Sequence, residues 1–174
     1  RLLTDWLVRL GVPPEIAAEE LPADAYRDDG AANLAVAERW VTEHSDTEFD
    51  FFLPPYSILF WDKVIREGRT EAVFAAIRQA GQTLLQYDNV KFYGYLMDPE
   101  IVTNLDNYCD YIHHSGGVCR EILAMLQREE GRLTEENLEE TLANWREFVV
   151  HYDYDQFWDE RFWIQWNAEH AAAP

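Results

Sequence analysis

The sequence predicts an all-α fold, a single-domain bundle of about seven to eight helices over residues 1–174. Three observations carry that expectation. Proline and glycine are sparse, with 7 and 8 in 174 residues, in a Leu-, Ala- and Glu-rich chain with short connections. Helix-start chemistry recurs along the chain. Apolar residues between 99 and 127 repeat at alternating threes and fours, as one face of a long helix requires.

Taken in order, helices are expected near 2–10, 14–20, 31–44, 56–67, 71–87, 99–127, 135–150 and 156–170. The second and fourth open after the proline pairs of PPEIAAEEL and PPYSILFWDKVI. Gly68 closes one helix, and Thr70 caps the next. In DPE, Asp98 is an N-cap with Pro99 at the first helical position, and in LTEEN, Thr134 caps a helix whose first turn is acidic. NVKFYGYLM, 89–97, is the one place where alternation allows a short extended segment.

Composition bounds what the molecule can do. Aromatic residues make up 14% and apolar residues 48%, enough for a packed core. No apolar run approaches the ~18 residues of a membrane span, so no membrane insertion is expected. The formal charge is −19, and Lys63 and Lys91 are the only lysines. Such a surface repels nucleic-acid backbones and anionic lipid and steers toward basic partners, besides keeping an aromatic-rich protein in solution. Cys109 and Cys119 are too few to staple a fold and point to a reducing, cytoplasmic compartment. The chain opens on Arg1 without Met or a signal-peptide pattern, so a processed or trimmed leader is expected ahead of it.

YCDYIHHSGGVC, 108–119, concentrates chemistry-bearing residues. On a continuous helix, Ile101, Leu105, Tyr108, Ile112, Cys119, Leu123 and Leu126 form one buried stripe, with both thiols on or beside it and Gly116 letting a neighbouring helix approach. The polar face then stacks Asp106, Asp110 and His114 at i, i+4 and i+8, a spacing at which two carboxylates can share Mg²⁺. Asp155 and Asp159 repeat it. No phosphate-binding glycine loop and no nucleophile elbow is present, and a core-facing thiol is a poor nucleophile. Nucleophilic catalysis is therefore not expected.

The YCDYIHHSGGV segment resembles, over about a dozen residues, the Tyr-Cys helix of squalene and phytoene synthases, whose cavity needs a far longer chain. EENLEE, 135–140, is similar to the first acidic motif of all-α nucleotide pyrophosphohydrolases. Their second motif, a Glu and an Asp three apart on the next helix, has no counterpart here. Neither family is assigned.

FWDERFWIQW, 157–166, is apolar nearly all round and needs cover on more than one side, from its own bundle or from another chain. The leading expectation is an acidic protein-binding module of the inhibitor, immunity-type, chaperone or adaptor kind, without cofactor and not an enzyme. It would engage a basic or amphipathic partner, or a second copy as a homodimer, through Trp158, Phe162, Trp163 and Trp166 and through Glu135, Glu136, Glu139 and Glu140. The alternative is a Mg²⁺-dependent helical hydrolase or transferase of a diphosphate compound using Asp106, Asp110, His114, Asp155 and Asp159. A DNA mimic, its carboxylates imitating phosphates, is the third reading.

Overall fold

The computed structural model describes residues 16–159 together with residue 168. Along them run α1 (Arg27–Glu43), β1 (Phe49–Phe52), α2 (Ile58–Arg66), α3 (Thr70–Leu84), β2 (Val90–Tyr93), the four-residue α4 (Pro99–Val102), α5 (Gly116–Arg128), β3 (Arg132–Leu133) and α6 (Leu138–Val150), with 3₁₀ turns at Tyr95–Met97, Leu105–Asn107 and Asp155–Trp158. The described residues thus hold six α-helices and a mixed three-stranded sheet. The architecture is α/β, which overturns the all-α bundle of seven to eight helices.

The sheet runs β1–β2–β3. β1 and β2 are parallel, from Phe49 opposite Val90 to Phe52 opposite Tyr93, and α2 and α3 form the connection that a parallel pair requires. β3 pairs antiparallel with β2, Phe92 opposite Leu133 and Tyr93 opposite Arg132. Side chains alternate on β2. Val90 and Phe92 enter the main core beneath α2, α3 and α6, while Tyr93 joins a second cluster with Tyr95, Ile101, Val118, Ile122 and Met125 of α5. Lys91 is the one polar residue in VKFY, and a four-residue strand is too short for alternation to announce it strongly in sequence.

The main core centres on Trp61, fully buried, with its ring 5.2 Å from that of Phe74 and 6.0 Å from that of Trp145. Gly81 brings α3 against α6, since a Cβ there would stand 2.7 Å from a Leu138 methyl. Gly68, at φ +62°, ends α2 in the left-handed conformation that glycine adopts without a Cβ clash.

Four expected helices stand close to their predicted positions, at 27–43, 58–66, 70–84 and 138–150. The expected helix 2–10 lies outside the described residues. Of 14–20, residues 16–20 are non-helical, and of 156–170 the described part opens as a 3₁₀ turn. The long helix 99–127 does not exist. α4 ends at Val102, residues 103–115 turn repeatedly, and a new helix starts at Gly116.

Its physical cause is side-chain competition for backbone donors. Asp98 caps α4 by accepting from the Glu100 and Ile101 N–H groups, Asn104 accepts from Asp106 N–H, and Asp110 accepts from Ile112 and His113 N–H. Ser115 then caps α5 through the Val118 N–H. Across this break the apolar stripe slips by one residue. Val118, Ile122 and Met125 are buried, Leu123 is 61% exposed, and both Cys109 and Cys119 are exposed thiols rather than core residues. Gly116 is a first-turn residue, and nothing but the Arg120 side chain approaches its Cβ position.

Candidate functional site

The break places Asp110 and His113 in a closed loop. Cys109 N–H and Sγ both donate to the His113 carbonyl at 3.0 and 3.3 Å, and Tyr108 and His114 form an isolated antiparallel bridge. Inside this loop one Asp110 oxygen accepts the Ile112 and His113 N–H groups at 2.9 and 2.7 Å, and the other faces His113 Nδ1 at 2.6 Å. An ionised carboxylate only accepts, so Nδ1 carries the proton, and in the neutral ring Nε2 presents its lone pair. Partial burial pushes the Asp110 carboxyl up, but the two backbone donors and the imidazole outweigh it and hold the group below the usual carboxylate range. It is therefore ionised at neutral pH. The His113 side chain is 69% exposed.

The loop is fastened to the sheet. Tyr108 Oη, buried, donates to the Pro55 carbonyl at 2.8 Å. Ser57 donates to the Tyr111 carbonyl twice, from N–H at 3.0 Å and from Oγ at 2.8 Å. Residues 53–57 leave the carboxyl end of β1, and that segment is tied to β2 by Leu53 N–H to Tyr93 O and to the 3₁₀ turn that follows by Leu96 N–H to Leu53 O. The Asp110–His113 loop is thus anchored to the segment that leaves the carboxyl end of β1. Asp110 was singled out in the sequence as a metal ligand and His113 was not. The available signal is D-x-x-H at 110–113, one residue ahead of Ser115-Gly-Gly, where Ser115 marks a helix N-terminus.

The remaining sequence candidates disperse. Asp106 sits on the 3₁₀ turn, and His114 Nδ1 lies 3.7 Å from Cys119 Sγ. Asp155, nearly fully exposed, contacts Arg66 at 3.5 Å. The helical stacking of Asp106, Asp110 and His114 that the Mg²⁺ reading needs is absent, because no helix spans them. Among the described residues no group of three or more His, Cys, Asp or Glu is placed to hold a metal ion.

Trp158 is half-buried. Its indole N–H donates to buried Asp62 at 3.2 Å, and the Arg66 guanidinium covers its ring. Burial raises the Asp62 carboxyl against the opposing pull of Arg66. Phe162, Trp163 and Trp166 lie outside the described residues. Glu135, Glu136 and Glu140 are exposed ahead of and at the start of α6, and Glu139 receives the Arg78 Nε–H on both oxygens at 2.9 Å. Among the described residues no helix is long and apolar enough to cross a membrane.

Fold and site together define an α/β protein with a carboxylate–imidazole pair in a loop anchored to the segment that leaves β1. No protein-family model matches the chain, and no solved structure matches it. Over 90 residues it is similar, at 24% identity, to proteins named "UPF0735 ACT domain-containing protein" from Lacticaseibacillus casei and Lacticaseibacillus paracasei. The match covers 52% of this chain and 62% of each relative, so the chain spans less than two thirds of their length.

Proposed function

We propose that Asp110 and His113 form a general acid–base pair serving hydrolysis or acyl transfer, with water or a hydroxyl group as the nucleophile. The observation that carries this reading is the 2.6 Å contact between His113 Nδ1 and an Asp110 oxygen whose companion oxygen is held by two backbone N–H groups. Asp110 fixes the ring and its tautomer. Nε2 takes the nucleophile's proton, the carboxylate stabilises the imidazolium that forms, and the proton passes on to the leaving group. The test is hydrolysis of p-nitrophenyl acetate by the whole chain. General acid–base groups contribute about 10²–10⁴-fold, so His113→Gln should lower the rate by that order, and Asp110→Asn should also lower it by presenting the wrong tautomer. Equal rates for the native protein and His113→Gln would sink the reading.

A second reading, an acidic module that engages a basic partner, is favoured by the exposed Glu135, Glu136 and Glu140 and by the −19 charge. The ACT-domain name of the two relatives points toward a small regulatory module of the same general kind. Binding of a fluorescent lysine-rich peptide tests it. Neutralising those three glutamates should weaken binding well beyond neutralising Asp28, Asp29 and Glu43 on α1. Equal losses would reduce the effect to net charge.

A further inference from the structure

Ser57 occupies the N-cap of α2, with the extended backbone typical of that position (φ −64°, ψ 162°). A serine there ordinarily accepts a hydrogen bond from the N–H two or three residues on. Ser57 makes no such bond. Its hydroxyl, fully buried, instead donates to the Tyr111 carbonyl 54 positions away, alongside its own backbone N–H. Tyr111 is the residue between Asp110 and Ile112, whose amide is one of the two that hold the Asp110 carboxylate. The helix forgoes its side-chain cap, and the hydroxyl clamps the loop that carries the acid–base pair. Tyr108 Oη, 2.8 Å from the Pro55 carbonyl, fastens the other side of Asp110 to the same segment.

From this diversion we infer that Ser57 is a positioning residue for the Asp110–His113 pair, with Tyr108 as its second anchor. Together they tie the loop to the segment that leaves β1 and hold the Ile112 and His113 amides against Asp110. The role in catalysis rests on the reading proposed above, whereas the positioning itself is a property of the folded chain. With one carbonyl receiving two donors, loss of the hydroxyl leaves the weaker clamp of the backbone N–H alone. The loop then opens more often, and the proton shared by His113 Nδ1 and Asp110 exchanges with water more readily.

Proton NMR of the whole chain reads this directly, because a hydrogen bond of 2.6 Å moves the imidazole N–H resonance to low field. Asp110→Asn identifies the resonance by abolishing it. Ser57→Ala and Tyr108→Phe should each keep the fold and speed exchange of that proton at least tenfold. Ser57→Ala should also shift the His113 ring resonances, while a residue that merely capped α2 would lower the melting temperature and leave them in place. Should Ser57→Ala fail to fold, Tyr108→Phe, which keeps the ring, tests the same clamp. The inference is overturned if the variants fold with the low-field proton unchanged in position and exchange. Failure of the catalytic reading looks different: His113→Gln would leave ester hydrolysis untouched while the NMR effects persist.

Discussion

Asp110 receives three hydrogen bonds on two oxygens, and that concentration makes its ionisation a stability term. Its folded value lies below the unfolded 3.8. Between the two, the unfolded chain binds more protons, so stability rises with pH. The contribution is fully present above the unfolded value and is lost as pH falls through the folded one. Asp62 slopes the opposite way, its carboxyl being raised by burial. The difference between native protein and Asp110→Asn in urea midpoints from pH 6 down to pH 2 isolates the Asp110 share. The native advantage should shrink steadily below pH 4, and a gap independent of pH would show that the carboxylate's charge is not what the loop uses. Helical i, i+4 spacing places Asp110 among the sequence's candidates as a Mg²⁺ ligand, a spacing that the break at 103–115 removes. Its partner was hidden because i+3 on a helix and i+3 in an Asp-capped turn look alike in sequence.

At the scale of elements, the break at 103–115 and the seam between α3 and α6 show local chemistry competing with periodicity. Seven apolar positions in helical register pointed to one helix, yet five short polar side chains between 103 and 110 offer the backbone other partners, and the register resumes one residue out of phase. Gly81 tests the tightness of the packing that followed. Alanine there gains about 1 kcal/mol of helix propensity. Its Cβ would stand 2.7 Å from a methyl of Leu138, itself buried, and overpacking costs roughly 1–3 kcal/mol. The collision should win, and Gly81→Ala should lower the unfolding free energy by about 1 kcal/mol. A rise in the denaturation midpoint would show that Leu138 has room to turn away.

Over the whole molecule, 33 acids face 14 basic side chains. Exposed ion pairs such as Arg78–Glu139 and Arg146–Glu71 are worth about 0–1 kcal/mol each, and salt weakens them. Salt also screens the repulsion among the surplus carboxylates, and that surplus of 19 is the larger quantity. Raising NaCl from 10 mM to 1 M should therefore stabilise the fold by about 1–2 kcal/mol, seen as a melting temperature higher by roughly 2–8 °C. A fall would mean that the pairs outweigh the repulsion. This charge, the four helices at 27–43, 58–66, 70–84 and 138–150 and the possibility of an extended segment at 89–97 were legible in the chain alone, because composition, caps and 3.6-residue periodicity are local properties. The sheet was not. β1 and β2 are separated by 37 residues between Phe52 and Val90, and strands of four residues are too short for alternation by itself to establish them or their pairing. Nor was the carboxylate–imidazole contact, whose loop is tied down by Ser57 and Tyr108 reaching across more than fifty residues. Local propensity determines which segments can be helices. Local side chains end the helix at 103–115, and the long-range hydrogen bonds of Ser57 and Tyr108, invisible in sequence, tie the resulting loop to the segment after β1.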